Sequence, residues 1–324
     1  MAADHLELPP WYSVGSVVVK RGLYTFAELS EWRDSISVHV LGQVHGVFLS
    51  DIDQQNNRVG IGVVREGADG TEAIVRSLLP SLGIPDAAVV FTMGEQPRAA
   101  MATAVPLGRP RDAIRLAMLP TPTYLTDEAS SLVAGYEIDR IISPPFAEVC
   151  SIGMVLDWNG TRYLATASHC GSQFYELDTT DAWYQTYNSS RVVGYEAWDP
   201  ASTGTYGGFP SRASEVELIK VNSTSATRGG IAHTIYRDSA SAGSLELDTS
   251  HPPIAVYAAS SSPVTGLEVN KVGTKTGWTY GTITNTCDDV AIDPPGDAVT
   301  CAIKTNVYTR PGDSGSPLFQ WDGE

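Results

Sequence analysis

No apolar run in this chain approaches the roughly 18 to 20 residues needed to cross a bilayer. The longest apolar clusters, such as Ala87 to Phe91, are strand-sized, so no membrane span is expected. Basic residues are scarce. Lys and Arg total 21 against 37 Asp and Glu, a formal net charge of −16. Nucleic acid and anionic membrane surfaces both require a basic footprint, so neither is expected as a partner. Cysteine is sparse too, with four residues and no CxxC pair, which argues against zinc; no metal and no cofactor are expected. The opening Met1-Ala-Ala-Asp-His lacks the basic and apolar regions of a secretory leader. Either the chain is cytosolic or its natural start lies elsewhere, and the cysteines favour the second reading. No solenoid-type repeat is visible.

What is present is an ordinary globular composition, 42% hydrophobic and 18% charged, in a chain long enough for two domains. The cysteines form two sequence-local pairs, Cys150 with Cys170 and Cys287 with Cys301. Two disulfides fit this spacing, each contributing about 3 kcal/mol on the loop-entropy account and implying an oxidising compartment. Four buried thiols are the alternative.

Thr25-Phe26-Ala27-Glu28 has capping-box spacing and predicts a helix start. Val38 to Leu41 through Phe48–Ser50, and then Val59 to Val64, read as two strands with a Gln55-Asn56-Asn57 turn between them. Thr71 to Leu82 has helical periodicity, Gly83 supplies its stop, and Ala87 to Thr92 reads as a strand. Residues 1–95 therefore suit a small α+β domain. Residues 96–132, rich in Ala, Arg and Pro, read as a linker. From residue 133 to 324 short apolar runs alternate with turn residues and predict a mainly β barrel or sandwich. Its candidate strands are 151–156, 162–167, 191–197, 216–222, 254–258, 281–284 and 302–308.

Two segments carry chemistry. Ala165-Thr-Ala-Ser-His169-Cys170 ends a small-residue strand with a histidine, and Gly312-Asp313-Ser314-Gly315-Ser316-Pro317 forms a glycine-flanked turn. Acyl transfer by serine needs a nucleophile, a base, a group that orients the base, and backbone donors for the oxyanion. The glycines permit a tight turn that presents the Ser314 hydroxyl and aims the Gly312 and Ser314 N–H groups into one pocket.

These segments resemble the chymotrypsin-type serine proteases, most closely the streptogrisin and α-lytic protease branch. Cys150-Ser-Ile-Gly-Met-Val through His169-Cys170 resembles the first-barrel hairpin of that branch. Gly273-Thr-Lys-Thr-Gly277-Trp-Thr-Tyr-Gly281 resembles its Gly-Arg-Thr-Thr-Gly opening of the second barrel, and Gly312 to Pro317 its nucleophile turn. The resemblance implies two perpendicular β-barrels with the active site between them, and peptide or protein substrates. It implies Ser314 as nucleophile and His169 as base. Residues 1 to about 132 fall outside it. By position and βα content they resemble the pro-regions of this branch, which act as intramolecular chaperone and inhibitor. Leu132-Val-Ala-Gly135 resembles the start of a mature protease, so processing near there is expected.

The pattern departs from the family at several positions. Glu215, in Glu215-Val-Glu-Leu-Ile-Lys220, stands where the family has an aspartate, and Asp199 is the fallback. Asp313 needs a cationic partner; Thr274 stands at the family's arginine position, and neighbouring Lys275 is the candidate replacement. Only ten residues follow Ser314, where the family has roughly 40 to 50 more on the scale of several strands. The second barrel is therefore expected to be incomplete, with Leu318-Phe319 as an uncovered edge. Tyr308 lies where the family places the pocket floor, against a preference for Lys or Arg. Asn159-Gly-Thr161, Asn188-Ser-Ser190 and Asn222-Ser-Thr224 match the glycosylation pattern. The sequence thus reads as a secreted serine endopeptidase zymogen; an inactive homologue or truncated binding scaffold is the alternative.

Overall fold

A computed structural model describes residues 22–97, 105–106, 121–143, 146–173, 176–185, 191–202, 204–206, 209–221, 226–260, 263–292 and 297–323. The triplets at 188–190 and 222–224, and most of the connecting segment before residue 121, lie outside the described residues.

The N-terminal module begins with α1 (Phe26–His39), whose start is the anticipated capping box: Thr25 Oγ1 accepts from the Glu28 amide, and Glu28 accepts from the Thr25 amide. Strands β1 (Val47–Asp53) and β2 (Arg58–Val64) form a hairpin. Helix α2 (Ala68–Leu78) then crosses over to β3 (Val89–Gly94), which lies parallel to β2. Val38 and His39, expected in a strand, end α1 instead, and Val40 caps it, donating its amide to Ile36 O at 2.8 Å. Ile36, Val40 and Leu41 all face the module's core, so one apolar stripe serves the helix and its exit.

The remaining chain forms two large β layers and a small three-stranded sheet of Leu132–Ala134, Ala226–Ile231 and Ile254–Ala255. The first contains Glu137–Ser143, Phe146–Ser151, Met154–Trp158, Thr161–Ala167, Ala182–Tyr184, Val192–Trp198 and Val216–Val221. The expected strand 151–156 is two strands, interrupted at Ile152-Gly153, where the backbone passes so close to the nucleophile turn that a side chain at Gly153 would meet Gly315 O at 2.4 Å. Asn159 and Gly160, with φ of 50° and 77°, make the tight turn of the next hairpin. The second layer is built on Glu268–Gly273 and a long hairpin, Gly277–Ile292 with Asp297–Thr305. Leu318–Phe319 pairs with Glu268–Gly273, through Asn270↔Phe319 and Lys271↔Leu318. Together these make a mainly β region built on two large sheets. Residues 121–132, read as connecting segment, contribute Leu125, Ala129 and Leu132 to its core beside Trp183 and Trp278.

Both disulfides are formed, Cys150–Cys170 and Cys287–Cys301. Strand β1 pairs with the long hairpin at Leu49↔Val290 and Ser50↔Asp289, so one sheet runs from β3-β2-β1 through that hairpin. Ala291 of the hairpin is buried in the core of the N-terminal module. Among the described residues no helix is long and apolar enough to cross a membrane.

Candidate active site

His169 sits on a single 3₁₀ turn, Ser168–Cys170, where Thr161–Ala167 ends, and the Cys150–Cys170 bridge ties that turn to Phe146–Ser151. Arg140 Nε donates to Cys170 O at 2.9 Å, pinning the other side. Glu215 immediately precedes Val216–Val221, whose pairing with Thr161–Ala167 brings the two ends together at Val216↔Ala167. Glu215 then holds the histidine twice: its Oε1 accepts the His169 amide at 3.3 Å and contacts the ring Nδ1. The extra methylene is absorbed without loss of this contact. On the opposite edge of the ring, Nε2 lies 2.8 Å from Ser314 Oγ. Residues 145 apart in sequence are thus joined in the order Glu215, His169, Ser314.

The nucleophile turn depends on two glycines. Gly312 (φ +102°) and Gly315 (φ +82°) are in the left-handed region, and a side chain at Gly315 would meet Thr166 Oγ1 at 2.3 Å. Ser151, which sequence reasoning missed, clamps this turn to the first β layer. Its amide donates to Ser314 O at 2.8 Å and its hydroxyl to Gly312 O at 3.0 Å, while the Thr274 amide donates to Ser151 Oγ at 3.0 Å. Thr274 Oγ1 donates to the same Gly312 carbonyl at 3.0 Å. The residue that replaces the expected arginine therefore fixes the peptide plane beside the nucleophile.

Asp313 is buried and its cation is Lys271, not Lys275. Lys271 Nζ lies 3.1 Å from Asp313 Oδ2. Lys275 contributes its backbone amide instead, 3.0 Å from Asp313 Oδ1, and its aliphatic stem lies over Gly312. Lys271 lies within Glu268–Gly273, where every residue from Val269 onward is buried, whereas Lys275 lies in the turn that follows and is half-buried. Thr276 Oγ1 (2.6 Å) and the Arg310 amide (3.0 Å) complete the shell of Oδ2. Asp199, the fallback orienter, accepts from Ser168 Oγ at 2.8 Å rather than from His169. Tyr308 turns its hydroxyl to Arg310, which donates Nε–H at 2.8 Å.

The electrostatics suit proton transfer. Burial pushes the His169 pKa down, but the Glu215 hydrogen bond and charge, with the nearby Glu148 charge, outweigh it and leave the ring above its ordinary value. Burial lowers Lys271, partly opposed by Asp313. Burial also raises Asp199 to about 6 and Glu196 to about 7. A hydroxyl joined to an imidazole that is itself held by a carboxylate can act as a nucleophile toward a carbonyl.

No protein-family model matches the chain. Over 173 residues it is 28% identical to Serine protease 2 of Streptomyces fradiae, spanning 52% of this chain and 79% of that protein. Among solved structures it is similar to a Nocardiopsis protease, at 19% identity and a TM-score of 0.40 over 58% of this chain and 78% of that one. Thermobifida fusca protease A is matched at 20% identity and a TM-score of 0.37, over 59% and 78% of the two chains.

Proposed function

We propose that this chain, a chymotrypsin-like serine protease of the streptogrisin and α-lytic branch, is a secreted endopeptidase that works through an acyl-enzyme and is made as a zymogen. The observation that carries the reading is the Ser314 Oγ to His169 Nε2 contact of 2.8 Å, with Glu215 on Nδ1.

Ser314 Oγ attacks the substrate carbonyl as His169 Nε2 takes its proton. Glu215 keeps the Nδ1 proton on the far side of the ring and stabilises the imidazolium that forms. The Gly312 and Ser314 amides stabilise the oxyanion. His169 then returns the proton to the leaving amine, the acyl-enzyme forms, and water attacks it by the reverse route. Two disulfides fit an oxidising, extracellular setting. The zymogen reading is supported by the sheet shared between β1 and the long hairpin: the N-terminal module is docked on the protease by backbone pairing and a buried Ala291.

A fluorophosphonate probe tests this. The chain should be labelled at one site, and Ser314→Ala and His169→Ala should abolish labelling. Folded chain that takes up no probe, both intact and after proteolytic release of the N-terminal module, would instead establish a non-catalytic scaffold.

A further inference from the structure

We propose that His233, Asp248 and His251 form a second site, a three-ligand seat for a zinc-class divalent transition ion. Backbone pairing assembles it. The Asp248 amide donates to His233 O at 2.9 Å, beside the Thr234↔Leu247 bridge, and a turn returns His251 to the same point. One potential ligand atom from each residue lies within 4.8 Å of the other two.

Of the two separations from Asp248, one is a hydrogen bond and the other is too long to be one. His251 Nδ1 is 2.7 Å from Asp248 Oδ2, and His233 Nδ1 is 3.7 Å from the same oxygen. Around a tetrahedral ion with bonds of about 2.0 to 2.1 Å, neighbouring ligand atoms stand about 3.3 Å apart. The two observed distances bracket that value, and the histidine nitrogens, within 4.8 Å of each other, would close toward it by movement of the exposed His251 ring. Hydrogen bonding to Asp248 accounts for His251 but leaves His233 Nδ1 buried without a partner among the described residues.

The setting is half rigid and half adjustable. The His233 ring stands edge-on to the buried Trp278, centroids 5.1 Å apart. The His251 ring is 62% exposed and stacks on the His233 ring, centroids 5.1 Å apart, so it moves against that stack alone on its solvent side. The Ser250 amide donates to Asp248 Oδ1 at 2.9 Å, leaving Oδ2 directed at the histidines; metal-binding carboxylates commonly have such an outer partner. Two imidazoles and one carboxylate suit zinc and its neighbours rather than calcium or magnesium, which take oxygen ligands. Such an ion would tie the 248–251 turn to the segment after Ala226–Ile231, against the Trp278–Trp321 pair. The site lies outside the His169–Ser314 relay and stands or falls independently of it.

Calorimetric titration of the untagged full chain with zinc chloride tests the proposal. One ion per chain is expected. His251→Ala should weaken binding by more than the roughly 10- to 100-fold that outer-shell changes cost. Cobalt(II) should give the visible bands of a four-coordinate ion in the parent and in His169→Ala, but not in His251→Ala. Because His251 is exposed, its loss does not threaten folding. Equal zinc affinity in His251→Ala and the parent would overturn the assignment, as would a parent that takes up no ion at millimolar concentration.

Discussion

Lys271 Nζ stands 3.1 Å from Asp313 Oδ2, with 5% and 2% of the two side chains exposed. This pair sits directly behind the nucleophile. Removing one partner of a buried ion pair strands the other, at a cost of about 3 to 5 kcal/mol. Lys271→Met should lose stability on that scale in urea unfolding and lose probe labelling at Ser314. Lys275→Met keeps the aliphatic stem over Gly312 and should cost about 1 kcal/mol, as expected of a less buried charge. Equal losses for the two variants would contradict the Lys271 assignment.

Glu215 fills a position at which an aspartate was anticipated, yet its Oε1 reaches both the amide and the ring of His169. The backbone here is therefore set for the longer side chain. Glu215→Asp should slow probe labelling on the order of 100-fold, the scale of a misplacement of about 1 Å. Glu215→Gln should slow it on the order of 10⁴-fold, because the amide favours the wrong imidazole tautomer. Faster labelling in Glu215→Asp would mean that Glu215 is an imperfect substitute.

How much of this was legible beforehand divides along physical lines. The capping box at Thr25, the cysteine pairs and the tight turn flanked by Gly312 and Gly315 are local patterns, and the structure has all three. Lys271 and Ser151 were not legible in that way. Their roles exist only once Phe146–Ser151, Glu268–Gly273 and the Gly312 turn converge: Lys271 meets Asp313 across 42 positions of sequence, and Ser151 meets Gly312 across 161. Val38–Leu41 was misread because β-branched residues at a helix exit carry the same apolar signal as a strand.

The His169 ring is held above its ordinary value, burial being outweighed by Glu215 and Glu148. Catalysis uses the neutral ring, so the labelling rate should rise with pH through a midpoint above about 6.5, the ordinary histidine value. Without the Glu215 charge, burial acts with less opposition. The Glu215→Gln profile should therefore move to lower pH even as its plateau falls. A midpoint that stays put would show that Glu215 does not set the ring's proton affinity.

The junction between the N-terminal module and the long hairpin should respond to pH in the opposite sense to the active site. Asp288 is 1% exposed, and neither of its carboxylate oxygens has a hydrogen-bond partner among the described residues. Burial raises its pKa to about 7; Asp51 and Asp289 add to the rise, while Lys304 and Arg33 oppose it. Asp51 is raised as well, chiefly by burial, with Asn285, Lys304 and Gly60 opposing and Asp53 adding. Undocked, an aspartate titrates near 3.9, so the docked state holds the extra proton between about pH 4 and 7. Docking should therefore weaken as pH rises through that window, by up to about tenfold per unit for Asp288 alone, and level off above it. Hydrogen exchange of the β1 amides, corrected for intrinsic rates, would follow the opening. Asp288→Asn should flatten most of the dependence and leave β1 better protected at pH 8 than in the parent. Identical profiles for variant and parent would show that this carboxylate does not govern the junction.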